Sequence, residues 1–187
     1  MMEAIKTIEK NGYTLKIFYD EFSESPREWD NLGALFFVNK PRSLGDYSDK
    51  DANIEDAKRA LIRLPIYFYD HSGVSISTAP FSCPWDSGFL GYYYVTREKV
   101  ISEYGEITPE NIQTAENRAR AELETFGMYL SGDVYGFTVE KGGEAIDSCW
   151  GYYGEKGIED ITELFKETVT REYRENNPLF TWAGIIA

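Results

Sequence analysis

Histidine is nearly missing from this chain: His71 stands alone among 187 residues, beside two cysteines, Cys83 and Cys149. Three such residues fall short of the four ligands of a structural zinc site, and two distant cysteines make no disulfide framework. Both thiols are expected to be reduced, which places the chain in a cytoplasm. Basic residues are also few, 19 against 32 acidic ones, for a formal net charge of -13. A wide phosphate-gripping face needs Lys or Arg at each contact, so direct nucleic-acid binding is disfavoured, as is an anionic membrane. The only basic patch of note is Lys40-Pro41-Arg42. No apolar run approaches the length of about 18 residues that spans a bilayer, so no membrane partner is expected. The opening MMEAIKTIEKNGY lacks the basic, apolar and small-residue succession of a secretory signal. Phosphate-cradling loops are absent too. Gly132–Gly136 (GDVYG) and Gly151–Gly154 (GYYG) lack the spacing and the lysine, and read as strand positions where glycine lets chains approach. No cofactor is expected.

What the chain does have is apolar and aromatic content, 42% and 16%, with 14 tyrosines. A disordered chain lacks the apolar surface to offset ordering entropy. The length suits one core, so a single domain over residues 1–187 is expected. Two segments, Ala4–Glu9 and Tyr13–Tyr19, alternate around Asn11-Gly12, a strong hairpin signal. The stretch Asp20–Leu32 reads as a loop or as a short helix begun at Ser25-Pro26, and Gly33–Asn39 has the length and character of a strand. Pro41–Asp51 reads as a loop. The apolar spacing of Ile54, Ala57, Ala60, Leu61 and Leu64 predicts a helix that Pro65 ends. A hairpin follows, Ile66–Tyr69 with Val74–Thr78, turning at His71–Gly73. Phe89–Val95 is expected as a strand and Arg97–Tyr104 as a helix. Thr108-Pro109 starts a longer helix that Gly132 ends. A third hairpin turns at Gly142-Gly143, and Ile158–Arg174 forms an amphipathic helix. The apolar tail Pro178–Ala187 is expected to dock as a strand. About seven or eight strands and three or four helices make the class α+β, a mostly antiparallel sheet of hairpins with helices packed on one face.

Small, acidic and aromatic residues crowd into four segments, Tyr69–Gly73, Pro80–Gly91, Gly132–Phe137 and Asp147–Gly154. A cysteine nucleophile needs a base and an orienting carboxylate. A small hydrolase would therefore be built on His71, Cys83, Asp86 and Asp147, with Asp70, Asp133 and Cys149 as further candidates. Convergence of Asp86, Asp133 and Asp147 would suit Mg2+ or Ca2+, although no metal is expected. Asp86 and Asp147 beside Trp85, Trp150, Tyr152 and Tyr153 also fit a glycosidase pattern. The plainer account is a turn histidine, two buried inert thiols, and Trp85 and Trp150 sealing hairpin ends.

The strings SPREWDNLG (Ser25–Gly33), SLGD (Ser43–Asp46), Leu64–Val95 with its PFSCPWDSG, GDVYGF (Gly132–Phe137) and DSCWGYYG (Asp147–Gly154) together resemble a family of small uncharacterised proteins of bacteriophages and mobile elements. This chain departs from that pattern at Phe37–Arg42 (FVNKPR), where the family strand continues into a His- and Arg-bearing segment. The resemblance implies a phage-encoded protein in a bacterial host cell, a setting rich in antirestriction and anti-CRISPR inhibitors.

An acidic chain can present carboxylates in place of nucleic acid, with the long-range steering reversed. The expected function is thus an acidic binding protein that inhibits a host nuclease or CRISPR effector by mimicry. Its expected contacts are Glu21, Glu24, Glu28 and Asp30, then Asp46, Asp49 and Asp51, with the helix bearing Glu155–Glu175 and the tyrosines Tyr92 and Tyr94. A third reading is a dimeric accessory protein that uses the Tyr92–Tyr94 strand as an edge.

Overall fold

Asn11 and Gly12 both take positive φ, 52° and 80°, the handedness a two-residue hairpin requires. They join β1 (Lys6–Lys10) to β2 (Tyr13–Tyr19), with Lys10 opposite Tyr13. In the computed structural model, which describes residues 3–38, 54–71 and 73–176, the later elements are β3 (Ala34–Phe37), α1 (Ile54–Arg59), β4 (Ile62–Asp70), β5 (Val74–Ser77), β6 (Ser87–Val95), α2 (Arg97–Tyr104), α3 (Pro109–Ser131), β7 (Val134–Lys141), β8 (Glu144–Tyr153) and α4 (Gly154–Asn176). Every strand pair is antiparallel and the class is α+β. The strands form two sheets of four. They belong to two compact units, Met1–Ser23 with Gly132–Ala187, and Glu24–Ser131.

The first unit holds the sheet β1-β2-β7-β8. Alternation along β2 turns Tyr13, Leu15 and Ile17 inward, opposite Lys141, Val139 and Phe137 of β7. Onto that face α4 lays Ile161, Phe165 and Val169, four residues apart and all buried, the stripe an amphipathic helix needs. β8 is an edge strand, and its side chains from Glu144 to Gly151 are exposed. On the face away from α4, Trp150 lies across Gly136, where a Cβ would fall 2.0 Å from the indole.

The second unit holds β3-β6-β4-β5. Its core joins Leu64, Ile66, Leu90 and Val95 to Ala115, Ala119, Leu123 and Phe126 on one stripe of α3. Thr96 and Thr108 cap α2 and α3, their hydroxyls accepting the Lys99 and Asn111 N–H groups at 3.2 and 3.1 Å.

Two expectations are corrected here, and two others fall outside the described residues. The helix before Pro65 ends at Arg59, and the strand begins at Ile62, so Leu64 and Pro65 are strand residues. Proline is tolerated because β5 pairs with β4 only from Tyr67 onward, leaving Pro65 bonded to β6 alone. The Tyr92–Tyr94 strand is no edge: β6 runs between β3 and β4, and Tyr94 is buried. The loop Pro41–Asp51 and the tail Pro178–Ala187 lie outside the described residues.

Gly91 sits where β3 and β6 meet, and a Cβ there would stand 2.0 Å from the Phe36 carbonyl oxygen. Backbone cannot yield as a flexible side chain can. Gly91→Ala is expected to cost about 3 kcal/mol or more. At Gly127, where a Cβ meets only the Ile76 side chain at 3.3 Å, the same change should stay within about 1 kcal/mol of neutral, helped by helix propensity. Urea unfolding of the two variants checks the contrast.

Candidate functional site

The loop between β5 and β6 is built by short-range bonds. Ala79 N–H donates to the Ser77 hydroxyl at 3.0 Å, and the Ser87 hydroxyl donates to the Cys83 carbonyl. Asp70 N–H donates to the Asp86 carbonyl at 2.8 Å, tying the loop's end to the β4 end. The Phe81 ring packs on Tyr69, centroids 5.7 Å apart, and Tyr69 stacks on His71 at 6.1 Å. Three of the four proposed catalytic residues meet here. His71 Nδ1 lies 3.3 Å from Asp86 Oδ2, and the Cys83 thiol lies 3.9 Å from the same oxygen.

The chemistry of that trio is limited by its order. Among the described residues the thiol meets a carboxylate and not the imidazole, whereas a cysteine nucleophile needs the base at the sulfur. The His71 side chain is 65% exposed and that of Asp86 41%, so water surrounds the cluster. Trp85 is 90% exposed and seals no hairpin end. Trp150, by contrast, does cover its strand, over Gly136.

Asp147 belongs to the other unit, on β8, where its Oδ1 accepts the Ser148 N–H at 2.8 Å. It lines a groove of about 310 Å³ between β8 and α4 with Ile146, Leu164, Thr168, Glu172 and Tyr13. Cys149 is exposed, not buried, on a strand that has no outer neighbour among the described residues. Burial and then the nearby Cys149 thiol raise the Tyr152 hydroxyl above its usual range. Of the proposed acidic contacts, Glu21, Glu24, Glu28 and Asp30 are exposed, Asp30 reaching Lys99 at 3.5 Å. Asp46, Asp49 and Asp51 lie outside the described residues. Tyr92 is half-buried under the Arg63 guanidinium, 4.9 Å from its centroid, and Tyr94 is buried. No group of three His, Cys, Asp or Glu side chains among the described residues is placed to hold a metal ion.

The most connected polar centre went unmarked in the sequence. The Tyr93 hydroxyl, in the core of the Glu24–Ser131 unit, donates to the Glu122 carboxylate and accepts the Gly33 N–H at 2.8 Å. Glu122 also accepts the Leu32 N–H at 2.9 Å and Arg118 Nε at 2.9 Å. Arg27 lies over the Tyr93 ring, 5.2 Å from its centroid, and donates to the Gly33 carbonyl. The signal that would have found it is the Gly33 position itself, where a Cβ would overlap the Tyr93 ring at 2.1 Å.

No protein-family model, curated protein or solved structure matches this chain. Among the described residues no helix is long and apolar enough to cross a membrane.

Burial first, and then Glu122, hold the Tyr93 phenol far above its usual value. The fold favours the neutral phenol, while an unfolded tyrosine ionises near pH 10. Stability from this group is therefore complete below about pH 10 and falls as pH rises, by at most about 1.4 kcal/mol per unit. Tyr93→Phe should flatten the alkaline limb while lowering stability at pH 7 by about 1–3 kcal/mol, since Gly33 N–H loses its closest acceptor. Urea unfolding from pH 7 to 11 reads both effects.

Proposed function

We propose that this protein is a non-enzymatic binding protein that presents carboxylates to the basic nucleic-acid channel of another protein. In the setting its family resemblance implies, the partner is a phage-restricting host factor, a restriction nuclease or a CRISPR effector. One observation carries the reading: many of the bases are engaged inside their own unit while the acidic excess faces outward. Lys16, Lys58, Lys99, Arg118, Arg120 and Lys156 pair with carboxylates. Lys6, Lys10 and Lys141 reach hydroxyls of their own unit, and Arg27 and Arg63 lie over tyrosine rings. Meanwhile Glu155, Glu159, Glu163 and Glu167 line the outer side of α4, and Glu21, Glu24, Glu28 and Asp30 stand in water. Of the four glutamates, Glu159 alone has a basic partner among the described residues, Lys156 at 3.6 Å.

Such a surface attracts a basic cleft over about one Debye length, roughly 30 Å at 0.01 M salt, and loses that reach as salt rises. The His71, Cys83 and Asp86 trio supports binding over catalysis, because the thiol has no imidazole at hydrogen-bond distance among the described residues.

Titration into restriction and CRISPR nucleases should inhibit one of them stoichiometrically, with an apparent Kd that rises at least tenfold between about 50 and 200 mM salt. The triple variant Glu155→Gln/Glu163→Gln/Glu167→Gln should weaken inhibition several-fold at the lower salt. Salt-insensitive binding, or no inhibition of any such nuclease, would sink the mimicry.

A further inference from the structure

Trp85 is the most exposed of the large apolar side chains described, at 90%. An indole left in water forgoes the contact area that makes tryptophan the most frequent anchor at protein interfaces. Single exposed apolar residues are ordinary on protein surfaces, and Phe22, at 83%, is one held by a single local bond, its N–H to Asp20 Oδ1 at 3.2 Å. Trp85 differs in how its backbone is held. On its N-terminal side Cys83 accepts the Ser87 hydroxyl at its carbonyl, and Pro84 fixes φ. On its C-terminal side Asp86 takes the Asp70 N–H at 2.8 Å and the His71 ring at 3.3 Å. The loop that carries the ring is thus ordered before any partner arrives, which lowers the entropy cost of binding.

The chemistry around it selects the partner. From Leu64 to Thr96 the chain has no lysine and no arginine, and Asp70 and Asp86 flank the loop. Both thiol and imidazole meet Asp86 through Oδ2. Oδ1 makes no hydrogen bond or ion pair among the described residues, and the Asp86 side chain is 41% exposed. A bare indole and a partly exposed carboxylate on successive residues offer one guanidinium two kinds of attraction, cation–π at the ring and a charge-assisted hydrogen bond at the carboxylate.

We propose that Trp85 and Asp86 form an anchor site for an arginine-bearing segment of a partner protein. The site rests on the reading of this chain as a binder of basic surfaces, and adds to it a fixed point of contact where long-range charge gives none.

The test uses the full chain and a nine-residue oligoarginine peptide, followed by tryptophan emission and calorimetry at about 150 mM salt, where diffuse attraction is screened. Trp85→Ala should weaken peptide binding at least tenfold, Asp86→Asn several-fold, and Trp85→Phe less than Trp85→Ala. Phe22→Ala, equally exposed on the other unit, should bind as the unaltered chain does. Circular dichroism should be unchanged in every variant, since neither ring is packed. Unaltered binding by Trp85→Ala, or equal losses in Trp85→Ala and Phe22→Ala, overturns the site. A parallel nuclease titration separates the two ideas. Inhibition without Trp85-dependent peptide binding removes the anchor and keeps the mimicry, while Trp85-dependent binding without inhibition of any nuclease does the reverse.

Discussion

A tyrosine hydroxyl taken out of water must find an acceptor, and in the Glu24–Ser131 unit that requirement organises three segments at once. The Tyr93 phenol is in the core, and Glu122 of α3 receives its proton donor. A carboxylate largely shielded from water is itself costly unless its other lone pairs are filled. Leu32, Gly33 and Arg118 fill them, which draws the loop after the Pro26–Glu28 turn onto the helix. Gly33 is the consequence and not the cause: any side chain there would occupy the phenol ring. Arg118 then reaches on to Glu103 at 2.7 Å and to the Asp30 carbonyl at 3.1 Å, so α2 and the loop are held through the same guanidinium. Networks of this kind gain from full satisfaction and lose heavily from one missing partner.

The other unit is organised by pattern alone. Its core needs only the alternation of β2 and β7 and the four-residue stripe of α4, and its polar contacts, such as Tyr13 with Glu172 at 2.6 Å and Lys141 at 2.6 Å, lie at the rim. Charge along β8, at Glu144 and Asp147, and the bulge between Val139 and Glu140 are the devices that discourage pairing with a second chain.

What was legible in the sequence follows from the same contrast. Periodicity and turn chemistry marked the Asn11-Gly12 and Gly142-Gly143 hairpins, α2, α3 and most of α4, because each depends on residues near one another in the chain. The helix before Pro65 was read too long: the apolar spacing of Ala60, Leu61 and Leu64 fits a helix as well as a strand, and only pairing with Tyr93 and Val95 of β6 decides. Tyr93 gave no local sign at all, since its neighbour Tyr94 is buried too and what sets Tyr93 apart is a glutamate on a helix some thirty residues later. The meeting of His71, Cys83 and Asp86 was legible as a cluster, but its order around one carboxylate oxygen was not. Sequence spacing fixes proximity along a loop, not which atoms face.

A net charge of -13 on 187 residues works against compactness through self-repulsion. Pairing bases such as Lys16, Arg118 and Arg120 with nearby carboxylates relieves part of that strain and offsets positive charge at the surface in the same act. Stability and recognition are therefore coupled here: the ion pairs along α3, Arg120 with Glu116 and Arg118 with Glu103, each neutralise one carboxylate locally and leave the unpaired ones as the outward field. Individually such exposed pairs contribute little to folding. Their larger effect is on sign. On the proposed reading, a partner meets an acidic surface on which many of the bases are already paired. From Leu64 to Thr96, where lysine and arginine are absent, it also meets an exposed indole next in sequence to a partly exposed carboxylate. Diffuse charge brings a basic surface near without fixing its register. A rigid aromatic contact is what can turn that approach into one bound orientation.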